Sequence, residues 1–216
     1  MKGIDVTLNI QKESLKDKIA SILMQRIING EIDVGEKLRE AHLAKEFGVS
    51  QAPVREAIIA LVSLGILEHK VNVGARVRAF DKSETIEIYQ ARDALEQYAI
   101  SHIKDFNKVE VLKSHYQEML EAAKAKDTKQ FIVHDQHFHE TLLLMSGNKL
   151  LLELWRQQYT KSSVQNVIKN FEASLENIVK IHLPIIEAIE VASVTQSQET
   201  VAVHYETIIQ SIKDDI

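Results

Sequence analysis

Four residues in the C-terminal part of the chain have the side chains and the spacing of a metal site. Asp135 and His139 are four residues apart, so on a helix their side chains lie next to each other on one face. His182 and His204 each share a predicted helical face with aliphatic residues, so both are expected to point into a helical core. A carboxylate and three imidazoles, with no thiolate, are donors that suit Zn, Ni, Mn or Fe ions. The pattern indicates that three successive helices could converge on one divalent metal ion.

The same residues also have a plainer explanation. A buried histidine is commonly a core residue that a hydrogen bond satisfies. Two more histidines lie beside the Asp–His pair, and on a helix His137 points to solvent while His134 lies between the two faces. Neither of these two belongs to the predicted ligand set. The spacing alone leaves the metal site and the core histidines as open alternatives.

Composition restricts the class of protein that can carry these residues. The chain has 216 residues, of which 45% are hydrophobic and 26% are charged, as is usual for a folded globular protein. It has no cysteine, which excludes disulfides and thiolate metal sites. The sequence shows neither a signal peptide nor an apolar run of about 18 residues, so we expect a cytoplasmic protein with no membrane partner.

Glycine, proline and charge divide the chain into two predicted domains. Five of the seven glycines lie between positions 30 and 74, and the rest of the chain is nearly free of helix breakers. Residues 1–79 carry 12 Lys/Arg against 10 Asp/Glu, a net charge of +2, whereas residues 80–216 carry 14 against 21, a net charge of −7. We therefore predict a turn-rich domain over 1–79 and an acidic, all-helical domain over 80–216. Pro184 is expected to kink the helix that carries His182.

The order of elements in the N-terminal domain predicts a winged helix-turn-helix. A first amphipathic helix ends at Gly30, and a second, short helix is followed by a turn and by a third helix that Ser50 caps. Two β-branched runs joined at Gly74 then predict a β-hairpin wing. The expected fold class is mainly α, with this winged domain followed by an all-α helical bundle. The third helix is the one that would enter the DNA major groove.

The segment GEKLREAHLAKEFGVSQAPVREAIIALVSLGILEHKVNVGARV resembles the N-terminal domain of GntR-type winged-helix transcription regulators. The resemblance implies that this domain binds double-stranded DNA, with the arginine of PVRE in contact with a phosphate or a guanine edge. Gln51 stands where the family usually has an arginine, which implies an altered operator sequence. The residues implied in DNA binding are Arg39, Ser50, Gln51, Arg55, Asn72, Gly74 and Arg76.

The C-terminal part is similar to the FCD ligand-binding domain of the FadR-like branch of this superfamily. The similarity rests on a D-x3-H motif, a further histidine 43 residues later and another one 22 residues after that. It implies a six-helix bundle in which a divalent ion, zinc first and otherwise nickel, manganese or iron, is bound by Asp135, His139, His182 and His204. It also implies that Arg92 faces an effector pocket, where a guanidinium beside a metal suits a small carboxylate.

Together the two resemblances imply a homodimeric transcription regulator, expected to be a repressor and not an enzyme. Two helix-turn-helix units would read an inverted repeat, and a small organic acid at the metal would control operator affinity. Two alternatives stay open, namely an enzyme whose metal activates water against a small carboxylic acid and a metal sensor without an organic effector. The plainer alternative for Arg92 is a salt bridge to Glu96 on the helix surface.

Overall fold

The residues described by the structure, a computed structural model, are 14–70, 74–164 and 175–214. The chain divides into two units, Met1–Arg78 and Ala79–Ile216. The first unit contains the helices α1 (Leu15–Ile28), α2 (Glu40–Phe47) and α3 (Gln51–Ser63) and the strands β1 (Lys37–Leu38), β2 (Leu67–Lys70) and β3 (Gly74–Val77). The strands form an antiparallel sheet in the order β1-β3-β2. This arrangement confirms the predicted winged helix-turn-helix.

Local signals at the ends of α2 and α3 form the turn of this motif. Gly48 follows α2 with φ +66°, a left-handed conformation that a residue without a Cβ adopts at little cost. Ser50 occupies the N-cap position of α3 with an extended backbone, as predicted. Its hydroxyl does not, however, accept the capping hydrogen bond that this position allows. The Ser50 side chain is exposed and is therefore available to a partner outside the helix.

The sheet has one strand more than the sequence indicates. We predict a two-stranded wing, whereas β1 pairs with β3 through Lys37 opposite Arg76 and Leu38 opposite Ala75. A strand of two residues is too short to show an alternating pattern, so periodicity could not reveal it. The extra strand connects the wing to the segment that leads into α2.

The second unit has seven α-helices and no strand in its described residues, one helix more than the six-helix bundle that the resemblance implies. Its α-helices are α4 (Lys82–Ser101), α5 (Val109–Ala125), α6 (Thr128–Met145), α7 (Lys149–Val164), α8 (Leu175–Lys180), α9 (Leu183–Glu190) and α10 (Val194–Asp214), with a 3₁₀ turn at Phe106–Lys108. In this bundle α5 packs on α6, and α4 packs on α6, α7 and α10. None of the helices in the described ranges is both long and apolar enough to cross a membrane.

Pro184 has a larger effect than the predicted kink, because it separates α8 from α9. α8 ends at Lys180, and a turn at Ile181 and His182 precedes the start of α9 at Leu183. Proline has no N–H to donate, and its ring clashes with the carbonyl four residues earlier, which here belongs to Lys180. In the first turn of α9 the same proline is tolerated. His182 therefore projects from a turn and not from a continuous helix.

The apolar face of α6 is the part of the bundle that the sequence predicts most directly. Phe131, Phe138, Leu142 and Met145 are all fully buried, as their helical spacing indicates. Burial of one such side chain contributes on the order of 1.5–3 kcal/mol to folding. Because these residues fix α6 against its neighbours, they also fix the polar residues between them on the same helix.

Candidate functional site

Three imidazoles from separate parts of the second unit converge in its interior. His139 lies on α6, His182 in the turn before α9 and His204 on α10. None is more than 1% exposed, and one nitrogen of each ring lies within 4.8 Å of a nitrogen of each other ring. The residue Asp135 is also buried, at 5% exposure. Its Oδ1 is 3.3 Å from Nε2 of His182 and 3.8 Å from Nε2 of His139. The structure thus brings the four predicted ligand residues together.

Hydrogen bonds determine which nitrogen carries the proton in two of these rings. Nδ1 of His139 is 2.8 Å from Oε2 of Glu96, and Nδ1 of His182 is 2.9 Å from the carbonyl oxygen of Ile178. Because both partners are acceptors, each Nδ1 is placed to donate, and a ring that carries a single proton then has its lone pair on Nε2. Both lone pairs then lie beside the carboxylate of Asp135. Such a group of acceptors is unfavourable unless a cation or a proton lies between them.

Three buried nitrogens of this cluster have no hydrogen-bond partner among the described residues. They are Nε2 of His182 and both ring nitrogens of His204. Burial, and after it the neighbouring His182 and His139, hold the pKa of His204 well below its usual value, so this ring is neutral. Donor atoms around a divalent ion lie about 2.0–2.2 Å from it and therefore about 3–4 Å from one another. The separations in this cluster are close to that range, so the residues fit such an ion.

The charge of Asp135 also favours a cation. Burial acts to raise the pKa of this carboxyl group, but the nearby His182, His139 and Arg92 outweigh burial and lower it. Asp135 is therefore ionised at neutral pH, among imidazoles that include the neutral His204. One carboxylate with neutral imidazoles is a donor set that binds divalent transition-metal ions.

Glu96 on α4 is the centre of a hydrogen-bond network that the sequence does not reveal. Its fully buried carboxylate accepts hydrogen bonds from Nδ1 of His139, from Nε1 of Trp155 at 2.5 Å and from the hydroxyl of Tyr205. Burial is the main cause that raises the pKa of Tyr205, so its hydroxyl keeps the proton that it donates. Glu96 thereby fixes the orientation of His139 from the side opposite Asp135.

Arg92 lies one turn before Glu96 and is enclosed by aromatic rings. Its guanidinium carbon is 5.1, 5.2, 5.0 and 5.4 Å from the ring centroids of Tyr89, Trp155, Tyr159 and Tyr205. Nη1 of Arg92 donates to Oγ of Ser162 at 3.2 Å. The alternative of a surface salt bridge to Glu96 is wrong, because the two side chains are 3% and 0% exposed. Across the described ranges, no carboxylate lies within ion-pair distance of Arg92.

The first unit has a cleft of about 780 Å³ between the wing and the helix-turn-helix. Four of the seven predicted DNA-binding residues line it, namely Arg39, Gln51, Arg55 and Gly74. Ser50 is exposed at the start of α3 and directly precedes Gln51, which lines the cleft. Arg76 is half-buried on β3, with Nε 3.9 Å from Oε1 of Glu68. Asn72 lies outside the described residues.

Arg55, the main candidate for DNA contact, forms an ion pair with Glu40, which no sequence pattern indicated. Nε and Nη2 of Arg55 are each 2.8 Å from Oε2 of Glu40, and the arginine side chain is still 59% exposed. Lys37 and His69 line the same cleft. Lys37 lies on β1, Glu40 on α2 and His69 on β2. The sequence does not indicate that they lie near α3, because no spacing along the chain relates these elements to it.

Comparison with known proteins gives the same two-part division. The family described as "Bacterial regulatory proteins, gntR family" matches residues 15–77, and the family described as "FCD domain" matches residues 87–207. The chain is 26% identical over 183 residues to the "Probable D-xylose utilization operon transcriptional repressor" of Paenarthrobacter nicotinovorans, with 84% of this chain and 81% of that protein covered.

A second relative and a solved structure extend the comparison. The gluconate operon transcriptional repressor of Bacillus licheniformis is 30% identical over 191 residues, which cover 84% of this chain and 78% of that repressor. The structure of E. coli McbR/YncC superposes with a TM-score of 0.79 at 20% identity, and covers 93% of this chain and 98% of that one. At this level of identity the structural likeness concerns the fold.

Proposed function

Because the chain belongs to the GntR family of bacterial DNA-binding transcription regulators and carries an FCD domain, we propose that it is a metal-dependent repressor controlled by a small organic acid. Repression is supported by its relatives, two of which are named as repressors of sugar and gluconate operons. The family consists of regulators, and we accordingly propose no catalytic role for the buried cluster. The domains are assigned as residues 1–79 for DNA and 80–216 for metal and effector.

The DNA partner is proposed to be an inverted repeat read by a homodimer. One helix-turn-helix contacts one half-site, and a two-fold symmetric pair of them requires a palindromic operator. DNA contact by each chain is supported by the cleft on the helix-turn-helix and the wing, which is lined by Arg39, Gln51, Arg55 and Gly74. Ser50 adds an exposed hydroxyl at the start of α3, where backbone N–H groups also favour a phosphate.

We expect Arg55→Ala to weaken operator binding by roughly five- to 150-fold, because one guanidinium contact to a phosphate or guanine contributes about 1–3 kcal/mol. Fluorescence anisotropy with a labelled operator measures the affinity. The matched control is Arg26→Ala, which removes an arginine that pairs with Glu46 at 2.6 Å on the same unit but does not line the cleft. Equal losses in both variants would mean that Arg55 is not a DNA contact.

The buried cluster is proposed as a site for one divalent ion, held by Asp135, His139, His182 and His204. The observation that carries this proposal is the convergence of Nε2 of His139 and Nε2 of His182 on the Asp135 carboxylate, while both Nδ1 atoms already face acceptors. Zinc suits a set of three imidazoles and one carboxylate best, and nickel, manganese or iron are alternatives. With these four ligands, a five- or six-coordinate ion would offer open positions to a carboxylate, and Glu96 would keep His139 aligned with it.

The effector is proposed to be a small organic acid that contacts both the ion and Arg92. A buried guanidinium without a carboxylate partner among the described residues is costly, and a ligand carboxylate would lower that cost. The aromatic rings around it stabilise its charge only in part. This feature favours an acid-responsive regulator over a sensor of the ion alone, because an ion coordinated by Asp135 and the imidazoles does not require Arg92.

A screen of hydroxy acids and dicarboxylic acids by thermal shift on metal-loaded protein tests the proposal. At least one acid should raise the melting temperature, fail to do so after chelation, and change operator affinity by about five- to 150-fold. Mass spectrometry of the recovered acid shows whether the protein has changed it chemically. An acid that binds without any effect on DNA affinity contradicts the coupling, and turnover of the acid would indicate an enzyme.

A further inference from the structure

A second group of imidazoles lies at the surface of the bundle, between α5 and α6. It consists of His115 on α5 and of His134 and His137 on α6. His115 and His134 are half-buried and His137 is exposed. One nitrogen from each of the three rings lies within 4.8 Å of one from each other ring. In the described part of the chain, this group and the buried one are the two histidine groups close enough to hold a metal ion.

The distance between two of these rings is that of two ligands on one ion. Nδ1 of His115 is 3.4 Å from Nδ1 of His134. Two nitrogens bound at about 2.0–2.1 Å in a tetrahedral arrangement are about 3.4 Å apart. A hydrogen bond between the two nitrogens would account for the same distance, but it leaves His137 without a role. The ring centroid of His137 is 5.3 Å from that of His115, so the third imidazole lies beside the same point.

The surroundings of the group favour a cation. Burial, followed by the neighbouring His137 and His134, lowers the pKa of His115. Glu118 acts on His115 in the opposite direction, which places a negative charge nearby. Three imidazoles with a carboxylate within electrostatic range suit zinc, copper or nickel better than calcium or magnesium.

We propose that His115, His134 and His137 form a second, solvent-accessible site for a divalent transition-metal ion that joins α5 to α6. The ion would have three protein ligands and at least one open position. α6 would then carry ligands of both sites, with Asp135 and His139 on its inner side and His134 and His137 on its outer side. The outer ion would thereby stabilise the helix that positions the inner pair.

Metal titration of the untagged full-length protein tests this site, because a histidine tag would itself bind the ion. Protein stripped with a chelator is titrated with Zn²⁺ in competition with a chromogenic chelator. We expect two ions per chain in the natural sequence and one in a His115→Asn/His137→Asn double variant, with the weaker binding event lost. His204→Leu, which alters the buried cluster, should also bind one ion, and that ion should be the weaker one.

The control is His102→Asn, which changes an exposed histidine of the same unit that belongs to neither group. It should retain two ions per chain. Because His115 and His137 reach solvent, the double variant is expected to fold, which circular dichroism checks. A single ion in the natural sequence that the double variant still binds would overturn the proposal. So would a second ion that the double variant retains, since that ion would then be bound elsewhere.

Discussion

His204→Leu should remove the buried ion and lower the melting temperature of metal-treated protein by about 10 °C. Ligand binding to the folded state contributes about 4 kcal/mol when the free ion is 1,000 times the dissociation constant, and 1 kcal/mol corresponds to about 2–4 °C for a chain of this size. His204 is the strongest choice because both of its nitrogens are buried with no hydrogen-bond partner in the described part of the chain. Calorimetry with and without Zn²⁺ measures the effect.

The same variant should behave differently once the metal is removed. In chelator, leucine replaces a ring whose unpartnered nitrogens cost about 1–3 kcal/mol each when buried, and its volume is similar. The melting temperature of His204→Leu should then equal or exceed that of the natural chain. His102→Ala is the control and should leave both measurements unchanged. A variant that is less stable by the same amount with and without metal would support a purely structural role for His204.

Arg92→Lys should abolish the response of operator affinity to the organic acid, an effect of up to about 150-fold, while the metal content stays the same. Lysine keeps the positive charge, but it lacks the planar fork that binds a carboxylate through two hydrogen bonds. It is preferred to alanine because Arg92 is only 3% exposed and its complete removal would leave a cavity. Anisotropy titrations with and without the acid measure the response.

Ser162→Ala provides the graded comparison for this prediction. It removes the hydroxyl that accepts from Nη1 of Arg92 at 3.2 Å, and so loosens the guanidinium without changing its charge. We expect a weaker but detectable response to the acid. Operator affinity without the acid should be the same in both variants and in the natural chain. An unchanged response in Arg92→Lys would exclude Arg92 from the effector contacts.

The members of the buried cluster could be identified from the sequence because helical periodicity determines burial. Asp135 and His139 fall on the shoulder of the apolar stripe of α6, and the structure buries both of them. His182 and His204 were predicted to be inward-facing for the same reason, and both are fully enclosed. Periodicity does not report distances between helices, so it could not distinguish a metal site from separate core histidines.

The partners of the cluster could not be predicted, because they depend on contacts between distant parts of the chain. Glu96 has a sequence neighbourhood that fits a surface salt bridge with Arg92, and only the packing of α4 against α7 and α10 turns both side chains inward. His115 gave no signal either, since it is 19 residues from His134 and on another helix. The extra strand β1 was missed because two residues show no pattern.

The ion pair between Arg55 and Glu40 affects how salt would act on DNA binding. A free arginine that reaches a phosphate displaces condensed cations from the DNA, and each such event steepens the decline of affinity with rising ionic strength. Arg55 already shares its charge with a carboxylate at 2.8 Å, so it contributes less to this release than an unpaired side chain would. Operator binding should therefore depend on ionic strength less than the number of arginines and lysines on the domain suggests. A larger share of the affinity would then come from contacts to base edges, which carry the sequence preference.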